Sequence, residues 1–198
     1  MHKVSWLASL LMMSLMVTGA FADEHDFLSE SRKVVKQFGG ELKQELLAAL
    51  NEGGPVTALS VCSQKAPVIA EELAAGKSWT IARTSLSARN PRNAPDMWQQ
   101  KTLESFAERK ASGEDPGKME HYEVVTVEGK DVFRYMKAIP VVEPCLTCHG
   151  QQLTHDLKSR LNELYPEDQA IGFSVGDIIG AFSVSMSMSS GLDSPQGQ

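Results

Sequence analysis

The chain predicts an α+β fold, with helices first and an antiparallel sheet with helices on one side after them. Three patterns carry that expectation. Apolar residues recur at helical spacing near the start, a hairpin pattern turns at Glu128-Gly129-Lys130, and apolar residues alternate with serines near the end.

Leu28, Val35, Phe38, Leu42, Leu46, Leu47 and Leu50 recur near the helical period, with Lys and Glu between them. They predict a helix from Asp26 to Asn51 that Gly39-Gly40 weakens in its middle. Gly53-Gly54-Pro55 breaks the pattern. A second helix is predicted from Pro55 to Ala75, with Pro67 marking a kink or a join. Its stripe contains Ala58, Val61, Cys62, Ala66, Ile69, Ala70 and Leu73, which turns Cys62 inward. Trp79 to Leu86 reads as a strand, and the Pro- and Asn-rich run Arg89 to Asp96 as a loop. A third helix opens near Asp96 and runs to Lys110, and Gly113 to Gly117 forms another loop. Tyr122 to Val127 and Asp131 to Ile139 form the two arms of the hairpin. A short helix is predicted from Asp156 to Leu164. In the last strand Phe182, Val184, Met186 and Met188 alternate with serines. The segment 191–198 reads as a disordered tail.

Directly after the hairpin stands Cys145-Leu146-Thr147-Cys148-His149, a single C-x-x-C-H. Two thiols at this spacing can form thioethers with the two vinyl groups of one haem, and the following histidine is held against the iron as proximal ligand. With 3 Cys and 5 His in 198 residues, chance would place this motif about once in a thousand such chains. A zinc site would want a second ligand pair of the same kind, and the sequence holds none. The motif therefore predicts one covalent haem c on Cys145 and Cys148 with His149 on iron. Pro144 and Gly150 predict a tight, non-helical turn at the attachment point.

The start of the chain fits the chemistry of that cofactor. His2 and Lys3 precede an apolar run from Val4 to Val17, and Ala20-Phe21-Ala22 offers the small residues of a signal peptidase site. The run is shorter than the roughly 20 residues that span a bilayer, so it reads as a cleaved leader and not as an anchor. Export is required for c-type haem attachment in bacteria, which makes the periplasm the expected compartment. Cleavage after Ala22 removes 22 of the 198 residues and leaves 176, with residues 23–190 forming a single domain. The formal net charge of −6 becomes −7 once Lys3 leaves with the leader. An acidic chain with scattered cations is a poor match to nucleic acid or to an anionic membrane. It could instead suit a basic electron-transfer partner, although many exported proteins are acidic for no special reason.

The third cysteine is odd in an oxidising compartment. Cys62 is a buried inert thiol, an intermolecular partner, or the sixth ligand of the iron, where coordination would protect it from oxidation. Met186 and Met188 lie on an apolar strand face, where packing explains them. Met97, Met119 and Met136 have no distinguishing context. His25, His121 and His155 have surface-like neighbourhoods, with His155 near enough in sequence to reach a propionate.

Three segments resemble one known family. Ala58-Leu-Ser-Val-Cys62-Ser-Gln-Lys-Ala-Pro67 looks like its distal-ligand segment. Arg83-Thr-Ser-Leu-Ser-Ala-Arg89-Asn90-Pro91-Arg-Asn93-Ala-Pro95-Asp-Met-Trp98 resembles its most recognisable stretch. The hairpin leading into Glu143-Pro-Cys-Leu-Thr-Cys-His-Gly150 resembles its haem segment. The family is the Tll-like c-type haem domain, a domain of unknown function with a PAS-like fold, and the likeness runs from about Ser29 to Met188. It implies haem c on Cys145 and Cys148, His149 proximal, and a distal cysteine that maps onto Cys62. Arg83 or Arg89 could pair with haem propionates, or serve the structure of their loop.

Two function classes follow. One is an exported mono-haem protein for electron transfer or other low-potential redox work, since a thiolate ligand favours ferric iron. The other is a periplasmic redox or gas sensor. The resemblance connects such domains with sensory inputs of larger proteins, but this chain shows no transmitter or kinase region, so sensing would need a partner protein. An enzyme is not expected, because two protein ligands leave the iron no open position.

Overall fold

A computed structural model describes residues 18–188. The apolar run of the expected leader and the tail 191–198 lie outside those residues, while Ala20-Phe21-Ala22 fall in the first turns of a helix. Among the described residues, no helix is long and apolar enough to cross a membrane.

Helix α1 spans Thr18–Ser60 and passes through Gly39-Gly40 without a break. Leu28, Val34, Val35 and Phe38 are its buried stripe. Gly39 serves packing. A Cβ there would sit 3.2 Å from the ring of Phe182, so the missing side chain lets helix and sheet approach. The expected interruption occurs at Gly53, with φ −146°, and Gly54, with φ 70°, a left-handed value that suits glycine. Pro55 then opens a new helical run.

That run does not remain α-helical. Val61–Lys65 form a π-helical turn, and α2 follows at Ala66–Ala74. The Ala66 N–H donates to the Val61 carbonyl five residues back. In that register the carbonyl of Cys62 faces the nitrogen of Pro67, which carries no hydrogen. Arg83 supplies the missing donor, with Nη2 3.3 Å from the Cys62 carbonyl oxygen. Pro67 is thus a join, as its position suggested, and the turn it imposes falls on Cys62.

Four strands, β1 (Trp79–Thr84), β2 (Glu120–Val127), β3 (Lys130–Pro140) and β4 (Ile178–Ser187), form one antiparallel sheet in the order β1-β4-β3-β2. The β2–β3 turn is Glu128-Gly129, both with positive φ (51° and 76°), the tight hairpin geometry that matches strand twist. Lys130 belongs to the strand. Register pairs Tyr135 with Val184 and Phe133 with Met186, so one sheet face carries the main core against α1 and α2.

Helix α3, Met97–Ala111, packs on the opposite face, so helices cover both sides of the sheet where one was expected. Its Leu103 and Phe106 meet Met119, Met136, Ala138 and Ala181. The serine side of β4 is therefore not simply a wet face. Ser183 is 3% exposed and accepts from Gln99 of α3 at 3.0 Å. Gln99 also completes a capping box with Asp96, which fixes the start of α3 where the sequence places it.

Candidate functional site

Past Pro140, the chain leaves the sheet and turns through Glu143–Cys145 as a 3-10 turn into α4, Leu146–His149, a single helical turn. The attachment motif is thus helical, contrary to the non-helical turn expected there. The reason lies in the spacing, since residues three apart on a helical turn point the same way, which is what two thiols sharing one ligand require. Gly150 closes the turn by donating its N–H to the Leu146 carbonyl. A Cβ at Gly150 would stand 2.5 Å from that same oxygen, so the site demands glycine.

The loop from Tyr165 to Phe173 then folds back over α4. His149 and Gly150 carbonyls accept the N–H groups of Phe173 and Gly172 at 3.0 and 3.1 Å. Helix α5, His155–Leu164, anchors this loop through Leu157, Leu161 and Tyr165, which pack on Leu59.

These elements enclose a cavity of about 400 Å³ between α1, the sheet and α4. Cys62, Cys145, Cys148 and His149 all line it, so Cys62 converges on one space with a cysteine pair distant from it in sequence. Leu42, Leu46 and Leu50 of α1, with Ile139, Ile179 and Phe182 of the sheet, make its wall apolar. Leu47 and Val142 at its rim are 42% and 51% exposed, an apolar surface that water meets at a cost. Cys62 is half-buried and turned into the cavity, in keeping with its inward stripe. Among the described residues, no methionine lines the space. Met186, Met119 and Met136 are core residues, and Met97 is 90% exposed. His25, His121 and His155 are exposed, and none reaches the cavity.

The orientation of His149 follows from one hydrogen bond. Its Nδ1 lies 2.7 Å from the Ala170 carbonyl. A carbonyl only accepts, so Nδ1 carries the proton and Nε2 keeps its lone pair for a metal. Burial, reinforced by the nearby Arg89 cation, lowers the histidine to about 4, so the imidazole is neutral at physiological pH. Burial also raises the Cys148 thiol.

The two arginines at the cavity differ. Arg89 is 8% exposed and bound on several sides. Its Nε donates to Asp168 at 3.0 Å, and its Nη2 to the carbonyls of Cys148 and Ala170 at 2.6 and 3.1 Å. It serves the structure of the loop. Among the described residues the Arg83 guanidinium makes one hydrogen bond, to the Cys62 carbonyl, and so keeps most of its donors for a carboxylate. Asp168 and Ala170 escaped the sequence reading, because nothing local marks them.

The donor set fits a haem attached through two thioethers. Two thiols lie on one helical turn, an imidazole is held with Nε2 free, a third thiol lines the same apolar space, and a cation stands at its edge.

A family model, Tll0287-like, matches residues 10–187. No curated protein matches the chain. Among solved structures, the cyanobacterial heme-protein Tll0287 is similar to this chain with a TM-score of 0.63 and 24% sequence identity. The match covers 82% of this chain and 96% of that one, a likeness of fold.

Proposed function

Because the chain belongs to the Tll0287-like family, we propose that it is an exported mono-haem protein of the c type, working in electron transfer at low potential. The observation that carries this reading is the convergence of Cys62, Cys145, Cys148 and His149 on one apolar cavity. The protein named by the solved relative is a heme-protein, and the same class of ligand suits this cavity.

In this reading Cys145 and Cys148 would hold the haem covalently, with His149 serving as the proximal ligand and Cys62 as the distal one. The haem supplies a one-electron ferric/ferrous couple. The chain does the rest. Ala170 holds the His149 proton on Nδ1, the leucines of α1 exclude water, and Arg83 offers its remaining donors to a propionate. With the side chains of His149 and Cys62 both offered to the iron, the protein would carry electrons rather than act as an enzyme. Its partner is another redox protein, and the leader 1–22 directs it to the periplasm, where attachment takes place.

A redox or gas sensor acting through a partner is the second reading, and the π-helical turn at Cys62 favours it. Such turns are frequent at functional sites, which supports a switching role for a ligand that one of them presents.

Intact mass after acid-acetone extraction tests the first reading. The expected product starts at Asp23 and carries one haem. A mass without haem, from cells that attach haem to other c-type proteins, would overturn it.

A further inference from the structure

Ala170 is gripped from three directions. Asp168 Oδ1 accepts its N–H at 2.8 Å, while its carbonyl accepts both His149 Nδ1–H at 2.7 Å and Arg89 Nη2–H at 3.1 Å. Asp168 and Arg89 are in turn joined, with side chains 9% and 8% exposed. Leaving an ion pair in so dry a place is costly unless each charge is fully engaged. Here each charge is engaged at Ala170, the residue whose carbonyl orients His149.

We infer that Arg89 is a positioning residue for His149, acting through the Ala170 carbonyl to set how strongly the imidazole donates to iron. This rests on the haem reading above. A carbonyl oxygen has two lone pairs. When a guanidinium takes one, the oxygen holds less negative charge for the imidazole N–H. The His149 Nδ1–H bond is then less polarised, Nε2 is a weaker donor, and ferric iron is less stabilised. Arg89 thereby holds the midpoint potential up, opposing the thiolate on the other side. Asp168 moderates this pull, because its carboxylate offsets the guanidinium charge and fixes its direction. The same Nη2 also holds the Cys148 carbonyl, so the arginine ties the attachment turn to the peptide that orients its histidine.

The two charges act in opposite senses, and the test uses that. Holo protein is prepared as Arg89→Gln, Arg89→Lys and Asp168→Asn. Asparagine keeps an oxygen for the Ala170 N–H, and removes both the charge and the oxygen that accepts Arg89 Nε–H. Midpoints come from redox titration. The iron–histidine stretch comes from resonance Raman of the ferrous proteins in a Cys62→Ala background, so the distal side is the same throughout. Arg89→Gln should lower the midpoint and raise the stretching frequency, Asp168→Asn should do the reverse, and Arg89→Lys should fall between Arg89→Gln and the parent. Unchanged values in Arg89→Gln and Asp168→Asn, or shifts of the same sign in both, overturn the inference. If Arg89→Gln fails to keep its fold, Asp168→Asn decides alone, and no rise in its midpoint counts against the inference. Absence of covalent haem from the parent protein would instead sink the haem reading.

Discussion

The guanidinium of Arg83 completes the backbone of Cys62, at 3.3 Å from a carbonyl whose helical donor would be the imino nitrogen of Pro67. A sheet residue thus holds the turn that presents the third thiol. Arg83→Ala leaves that carbonyl half-buried and unpaired, which costs about 1–3 kcal/mol. Urea denaturation should show the loss, and hydrogen exchange should show faster opening across Val61–Lys65. Pro67→Ala, which restores an N–H, should recover part of the loss. Full stability in Arg83→Ala alone would mean that the contact contributes nothing.

Cys62→Ala and Cys62→Ser should keep the haem attached, since both thioether positions are untouched. The ferric spectrum should change and the midpoint should rise, because the ligand that favours ferric iron is gone. An unchanged spectrum and midpoint would show that Cys62 is only a buried thiol.

The haem-free protein, made as a Cys145→Ala/Cys148→Ala variant, should be sensitive to acid through His149. Its imidazole is lowered to about 4 in the fold by burial, and then by Arg89, against an unfolded value near 6.5. The unfolded chain therefore binds the proton first as pH falls. Stability is whole above about pH 6.5, declines by up to about 1.4 kcal/mol per unit down to about pH 4, and then levels off for this group. Urea titrations at several pH values measure the slope. With haem attached and iron on Nε2, that slope should vanish.

Gly180→Ala tests the close approach of β4 and β1. A Cβ there would lie 2.3 Å from the Thr84 carbonyl oxygen, which is backbone and cannot swing away. Overpacking of this kind costs about 1–3 kcal/mol, and each kcal/mol lowers Tm by about 2–4 °C in a chain of this size. An unaltered melting curve would show that the two strands can part freely.

Carbon monoxide separates carrier from sensor. Reduction takes one positive charge from the iron, which weakens its hold on a thiolate. In a sensor, the ferrous protein binds carbon monoxide, and exchange protection changes across Pro55 to Ala74. No binding, with identical protection in both redox states, identifies a rigid carrier.

How much of this was legible in the chain depended on distance along it. Cys145, Cys148 and His149 announce themselves because their chemistry is local, and Cys62 is marked by its stripe and by the odd thiol count. Asp168 and Ala170 carry no such mark, since the bond that matters joins residues 79 apart. The second helical layer was missed for a different reason. In α3 only Thr102, Leu103 and Phe106 are buried, too few to set an apolar face apart from a solvated one. Once α3 is in place, Ser183 is understood as a buried partner for Gln99, although alternation alone makes it look like a surface residue.

The strand order has a consequence in time. Strands β1 and β3 share no edge, and β4, the last of the four to be made, joins them. On a chain exported N-terminus first, as proposed above, Cys145-x-x-Cys148-His149 therefore emerges before the strand that unites its half of the molecule with that of Cys62. Haem captured at that moment would meet an open, one-sided platform. The final residues of the sheet, arriving last, would bring the opposite wall across and seal it in.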